Sequence, residues 1–325
     1  MPLIDMPIDQ LHTYMGRNEC PEDFDAYLDR ALDELERLGT DYELAPATFA
    51  APNSECFDLY FTGAGGARIH AIYLRPAHRG EKLPAVVLFH GYSGDCGSFS
   101  SKLGWTSAGF CCAALDCRGQ GGASQDAGNV KGNTLQGHII RGLDDPDPDK
   151  LYFRNVFLDT AQLARIVMSM DEVDAKRVGA HGGSQGGGLT LACAALTPAL
   201  HSAAPQFPFL CDYRRVWEMD LASGAYEEIS QYFRHFDPMH ARESEVFTKL
   251  GYIDVHNLAS RIKSRVRMYV GLMDTICPPS TQFAAYNRIR SPKELRVYPD
   301  FAHESLPLSD DDVMAFMLEM AADRQ

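Results

Sequence analysis

The chain predicts a three-layer α/β domain on a mostly parallel sheet, and three observations carry that expectation. Val86-Val87-Leu88-Phe89 and Phe110-Cys111-Cys112-Ala113-Ala114-Leu115 are continuous apolar runs, as suits strands covered on both faces. Segments of helical spacing alternate with such runs, the pattern of strand–helix–strand crossovers. A glycine-rich pentapeptide, Gly182-Gly183-Ser184-Gln185-Gly186, joins one apolar run to one helical run. With 325 residues, 45% of them hydrophobic, the chain can bury one large core, so residues 1–325 are read as one domain.

Residues 1–80 form an N-terminal helix and strand extension. Phe24, Tyr27, Leu28, Ala31, Leu32, Leu35 and Leu38 recur at helical spacing, which predicts an amphipathic helix over 22–38 ended by Gly39. The alternating run Arg68-Ile69-His70-Ala71-Ile72-Tyr73-Leu74 predicts an antiparallel strand. From Pro84 the pattern becomes parallel, with further strands at Arg177–Ala180, Val266–Val270 and Glu294–Tyr298. Helices are predicted over Asn155–Met170, Ser184–Leu196, Pro279–Ile289 and Asp310–Ala321. Residues 207–256 interrupt this rhythm with aromatics and charges, and predict a small helical insertion near the strand ends.

Net charge is -14, with acidic residues spread along the chain. Such a surface repels phosphate backbones and anionic lipid, so no nucleic-acid or membrane partner is expected and a small neutral substrate fits better. No apolar segment approaches the length of a membrane span. The opening Met1-Pro2-Leu3-Ile4-Asp5 shows no basic region followed by an apolar stretch, so no secretory leader is expected. Nine cysteines without a C-x-x-C pair suit reduced thiols in a cytoplasmic protein. Neither cofactor nor metal is expected: His235, His240 and His256 lack ligand spacing.

The pentapeptide reads as a G-x-S-x-G nucleophile elbow, a tight strand-to-helix turn that projects a serine hydroxyl from the sheet edge. Its glycines are needed where a Cβ would clash or block a substrate. This architecture, the α/β-hydrolase fold, orders its partners as serine, acid and histidine, each on a loop after a strand. Asp274 follows the strand ending at Val270, and His303 follows the strand ending at Tyr298. The predicted triad is therefore Ser184 as nucleophile, His303 as proton acceptor and donor, and Asp274 holding the imidazole in the useful tautomer. Asp300 reads as a turn former, and His181 as a hydrogen-bonded core histidine.

A tetrahedral intermediate needs two main-chain donors. One is expected at Gln185, the residue after the nucleophile; the other at Tyr92, in the loop His90-Gly91-Tyr92-Ser93-Gly94. Tyr92, Pro208, Phe209 and Ile276 are candidates to line the acyl side, where bulk would favour a methyl group over longer chains. For Ile276 a plain core position is the alternative. Arg118-Gly119-Gln120-Gly121-Gly122 lacks the Lys-Ser/Thr ending of a phosphate loop. It predicts a structural role, with Arg118 reaching carboxylates or carbonyls and the glycines letting two loops approach.

His90-Gly91-Tyr92, Arg118-Gly119-Gln120-Gly121-Gly122, Gly182 to Gly188 and His303-Glu304, in this order, resemble carbohydrate esterase family seven, the acetyl xylan esterases and cephalosporin C deacetylases. The resemblance runs from the helix near residue 22 to the terminal helix. It implies deacetylation of small acetylated sugars and of cephalosporin C, with the triad and oxyanion donors named above. It also implies an intracellular homohexamer with active sites facing an interior cavity. The rival enzyme reading is a peptidase related to prolyl oligopeptidases, but about eighty residues before the first parallel strand are too few for a propeller of about forty residues per blade. A third reading is a hydrolase-like receptor without catalysis, which would form no acyl-enzyme.

Overall fold

The computed structural model describes residues 4–78, 81–128, 130–132, 135 and 137–323. Residues 1–3 and 79–80 of the extension, including part of the opening read for a leader, lie outside the described residues. The extension holds α1 (Ile8–Leu11), α2 (Phe24–Leu38), β1 (Tyr42–Pro46), β2 (Ser54–Thr62) and β3 (Arg68–Pro76). Then come β4 (Leu83–Phe89), α3 (Leu103–Ser107), β5 (Cys111–Leu115), α4 (Tyr152–Ser169), β6 (Val173–Gly183), α5 (Gln185–Leu196) and β7 (Ser202–Gln206). The helices α6 (Tyr213–Glu218), α7 (Glu227–Phe236), α8 (Glu243–Leu250) and α9 (Val255–Leu258) follow without a strand between them. β8 (Arg265–Gly271), α10 (Pro279–Arg288), β9 (Lys293–Tyr298) and α11 (Ser309–Ala322) complete the chain.

Among the described residues nine strands form one sheet in the order β1-β2-β3-β5-β4-β6-β7-β8-β9. β1, β2 and β3 pair antiparallel, and β3 joins β5 antiparallel. Every later pairing is parallel. Side chains alternate across the strands, so Ala71 and Tyr73 of β3 enter the main core with α4 and α5, while Ile72 and Leu74 enter a smaller core on the opposite face. α11 closes part of that opposite face, where Phe316 and Met317 cover Ala204 and Tyr269. The result is the α/β-hydrolase fold with both faces of the parallel strands covered.

Several boundaries differ from the expectation, each for a local reason. α4 opens at Tyr152 rather than Asn155, because a turn at Pro148–Lys150 already leads the chain into it. α5 opens at Gln185, since Ser184 itself sits at φ 58°, ψ -119°. β7, Ser202-Ala203-Ala204-Pro205-Gln206, had no signature of its own: small residues and a proline form a strand because β6 and β8 flank it. The insertion becomes helical only at Tyr213. Before it, Phe207, Leu210 and Asp212 have φ of 30°, 66° and 48°, in a loop whose Phe209 amide reaches the elbow.

Candidate active site

Ser184 ends a parallel strand and begins a helix, so its hydroxyl stands at the carboxyl edge of the sheet. Its positive φ is strained for a residue with a Cβ, and the surroundings over-determine it. The Ser184 N–H donates to Gln206 O at 3.1 Å, and Ser184 O accepts from Phe209 N–H at 3.0 Å and Gly188 N–H at 3.1 Å. Close packing behind the turn requires glycine: a Cβ on Gly186 would lie 2.1 Å from the Phe89 carbonyl oxygen. The loop from Gln206 to Phe209 therefore braces the elbow through main-chain atoms.

The structure brings Ser184, His303 and Asp274 into one chain of hydrogen bonds. Ser184 Oγ lies 3.0 Å from His303 Nε2, and His303 Nδ1 lies 2.8 Å from Asp274 Oδ2. Asp274 is fully buried while the His303 side chain keeps 20% exposure. The carboxylate cannot swing, because its Oδ1 accepts the N–H groups of Ile276 and Cys277 at 2.9 and 2.8 Å, and Gln282 Nε2 donates to Oδ2 at 3.2 Å. The imidazole is confined on its other side by the Phe207 ring, 4.6 Å away between centroids. Such an array can take a proton from the hydroxyl and return it to a departing group.

Two loops meet beside the serine. Gly91 O accepts Gly94 N–H at 3.1 Å, closing a turn with Tyr92 inside it, and Ser93 sits at φ 58°. Gln120 Oε1 accepts Ser93 N–H at 2.9 Å and lies 3.0 Å from Gln185 Nε2. His90 Nε2 accepts Cys117 N–H at 3.0 Å, so His90 ties its loop to the next strand end. Gly121 N–H donates to Gly94 O at 2.9 Å, and a Cβ on Gly121 would stand 2.8 Å from that oxygen. Gln185, as the first residue of α5, presents a main-chain N–H at a helix N-terminus, where negative charge is favoured.

The glycine-rich segment reaches carboxylate and carbonyl together. Arg118 Nε and Nη2 hold Asp159 at 2.7 Å each, and Nη2 also donates to Ala64 O at 2.9 Å, with Arg118 and Asp159 both 1% exposed. This pair clamps the loop after β5 to α4. His181 bonds Ala204 O at 2.8 Å, and burial lowers its pKa. Asp300 is exposed in a turn.

Of the acyl-side candidates, Phe209 is buried, its ring 5.6 Å from Tyr92 and 4.2 Å from Tyr226. Pro208 is buried with its Cα against Gly187. Ile276 is half-buried against the main core, and its amide holds Asp274. Phe207, Gln206, Gln282, Gln120 and Glu228 were not singled out from the sequence. Their roles come from packing between segments distant in the chain, and only Gln120 had a motif that could have marked it.

Among the described residues three clusters have ligand-type side chains: His70–Cys96–Asp116, Asp274–Cys277–His303 and Asp212–Asp254–His256. In each, a carboxylate is already occupied by main-chain N–H donors: Cys96 and Ala123 on Asp116, Ile276 and Cys277 on Asp274, Asp212 and Tyr213 on Asp254. These clusters are accounted for as hydrogen-bonded structure.

The family model described as acetyl xylan esterase (AXE1) matches residues 1–320. Acetyl esterase Axe7A of Xylanibacter ruminicola is 28% identical over 294 residues; the match covers 87% of this chain and 63% of that protein's length. The chain thus spans less than two thirds of that relative. Acetyl xylan esterase 1 from Thermoanaerobacterium sp. JW/SL YS485 superposes with a TM-score of 0.96 at 58% identity, covering 98% of this chain and 100% of its own. Acetyl xylan esterase from Paenibacillus sp. R4 gives 0.91 at 39%, covering 97% and 99%. A puromycin-hydrolyzing peptidase from Mycobacterium tuberculosis, at 20% identity and a TM-score of 0.60 over 85% of this chain and 41% of its own, shares the fold alone.

Proposed function

The chain belongs to the acetyl xylan esterase family, and from that premise we propose that it is a serine acetylesterase acting on small acetylated sugars. The observation that carries the reading is the unbroken line from Ser184 Oγ through His303 to Asp274, at 3.0 and 2.8 Å. Ser184 Oγ attacks the acetyl carbonyl while its proton passes to His303 Nε2. The main-chain N–H groups of Tyr92 and Gln185 receive the oxyanion. The carbon–oxygen bond to the sugar breaks, and His303 gives its proton to the departing alcohol, leaving an acetyl-enzyme. Water then attacks, its proton going to His303; acetate leaves and Ser184 recovers its proton. Asp274, held by four donors, keeps the imidazole aligned throughout.

Pro208, Phe209 and Ile276 with the Tyr92 ring bound the acyl side and restrict it to acetyl. On this reading acetate esters outrun butyrate esters by about 10–200-fold per methylene that fails to fit. Equal or reversed rates across acetate, propionate and butyrate p-nitrophenyl esters discard the small pocket. Cephalosporin C, an acetate ester of a non-sugar alcohol, is a second substrate of the same chemistry. A cytoplasmic homohexamer completes the proposal; sedimentation at a mass other than six chains, or secretion on cell fractionation, removes those parts alone. The central test is pre-steady-state: p-nitrophenyl acetate releases a burst of about one p-nitrophenol per active site when deacetylation is slower than acylation, with [14C]acetyl trapped on Ser184 by acid quench. Absence of both labelled serine and turnover overturns the esterase reading.

A further inference from the structure

The Tyr92 amide sits in a loop, and a loop alone does not fix the aim of a peptide group. Its ring is unusually well anchored. It packs 5.6 Å from the Phe209 ring and 5.3 Å from the His138 ring, and its hydroxyl donates to Glu228 Oε1 on α7 of the insertion. His138 N–H donates to both Tyr92 Oη and Glu228 Oε1 at 2.8 Å, and Ile140 N–H donates to Glu228 Oε2 at 3.2 Å. Gly137, at φ 90°, completes the contact: a Cβ there would stand 2.0 Å from Glu228 Oε1 and 2.5 Å from Tyr92 Oη.

One carboxyl thus fastens three separate segments: the loop after β4, residues 137–140 and α7. Burial pushes this carboxyl up to about 7, against the lowering effect of Tyr92 and the surrounding amides. Buried carboxyls perturbed in this way cluster at functional sites. The position of Glu228 is what distinguishes it. It lines a cavity of about 440 Å³ together with Tyr92, Ser93, Leu135 and Gln231, immediately beside the proposed oxyanion donor.

We propose that Glu228 is a positioning residue for the oxyanion hole, clamping the Tyr92 phenol so that the Tyr92 main-chain N–H stays aimed at the oxygen developing on the Ser184 adduct. The inference rests on the proposed role of Tyr92. Glu228 acts through the tyrosine and does not touch the reacting atoms. The sugar is not needed for the effect, so a substrate without one reveals it.

The experiment is a double-mutant cycle on p-nitrophenyl acetate, with kcat and KM measured for the wild type, Glu228→Ala, Tyr92→Phe and the double variant. A boronic acid, whose tetrahedral adduct on Ser184 places an oxygen in the hole, serves as the binding probe. Loss of an oxyanion donor costs about 10²–10³-fold in kcat, and a displaced donor falls below that. Glu228→Ala is therefore expected to lower kcat about 10–100-fold with KM within about threefold, and to weaken boronic acid binding by the same factor. Tyr92→Phe behaves alike, and the double variant is no worse than the larger single one. Glu228→Gln, which keeps one acceptor oxygen, falls between.

Multiplying effects in the double variant, a raised KM with kcat retained, or unchanged kcat overturns the clamp. If Glu228→Ala does not fold by circular dichroism, the cycle with Glu228→Gln carries the same test. The two proposals fail separately: a wild type that forms no acetyl-serine removes the esterase reading. A wild type that acetylates normally, with Glu228→Ala matching it, removes only the clamp.

Discussion

Two regions of the sheet hold a histidine against a buried aspartate. At the carboxyl rim of the parallel strands, His303 meets Asp274 at 2.8 Å and turns its other nitrogen to Ser184. At the antiparallel flank, His70 of β3 meets Asp116 at 2.6 Å and turns its other nitrogen to Asp58 at 3.1 Å. The flank pair has the tighter contact to its buried aspartate, yet it has carboxylates at both ends and no hydroxyl to activate. Asp116 instead gathers the N–H groups of Cys96 and Ala123, stitching two loops to the strand. A carboxylate beside an imidazole is therefore no mark of catalysis; what the far nitrogen faces decides the role.

The largest effect should come at the rim. His303→Ala or Ser184→Ala is expected to lower turnover by about six orders of magnitude, because such groups act as a unit. Steady-state rates on p-nitrophenyl acetate read this directly; a loss under tenfold in Ser184→Ala would place the nucleophile elsewhere, and in His303→Ala the base. Asp274→Asn should cost about 10⁴-fold in kcat by disfavouring the useful tautomer. The matching change at the flank, Asp116→Asn, should leave kcat within about tenfold where the protein is folded, since no proton of the reaction passes there. Comparable losses from the two asparagines would erase the distinction between the regions.

Stability should show the reverse ranking. Removing one partner of the buried flank pair, as in His70→Gln, is expected to destabilise by about 3–5 kcal/mol in denaturant melts. The pH dependence has a definite sign. Burial alone would lower the His70 pKa, but hydrogen bonds to Asp116 and Asp58, and the charges of both, raise it above 6.5. Stability from protonated His70 is therefore fully present below pH 6.5 and is lost as pH rises through the raised folded value. The gap between wild type and His70→Gln should narrow from pH 6 to 9. A gap independent of pH would mean that His70 is neutral in the fold.

Much of the rim is legible in the sequence. The elbow and the apolar parallel strands are local patterns, and strand ends at 270 and 298 point to Asp274 and His303 because loops after parallel strands share one edge. The reach of Arg118 to carboxylate and carbonyl could be read for a different reason: a guanidinium pairs with such acceptors. β7 could not be read, since Ser202-Ala203-Ala204-Pro205-Gln206 has no strand pattern apart from its neighbours. Nor could the brace from Gln206 to Phe209, whose work is done by main-chain atoms that almost any residue would carry.

By itself, then, the order of residues determined the layer architecture, the elbow and the chemical identity of the three groups at the rim. These follow from periodicity, turn sterics and the reach of a strand end, which are properties of a few consecutive residues. Only the folded molecule decided that Gln282 and two amides lock Asp274, that Gln120 links the loop of Tyr92 to Gln185, and that Glu228 meets Tyr92 across 136 positions of chain. Those contacts depend on how distant segments pack, and packing is a property of the whole core, which no local window of sequence contains.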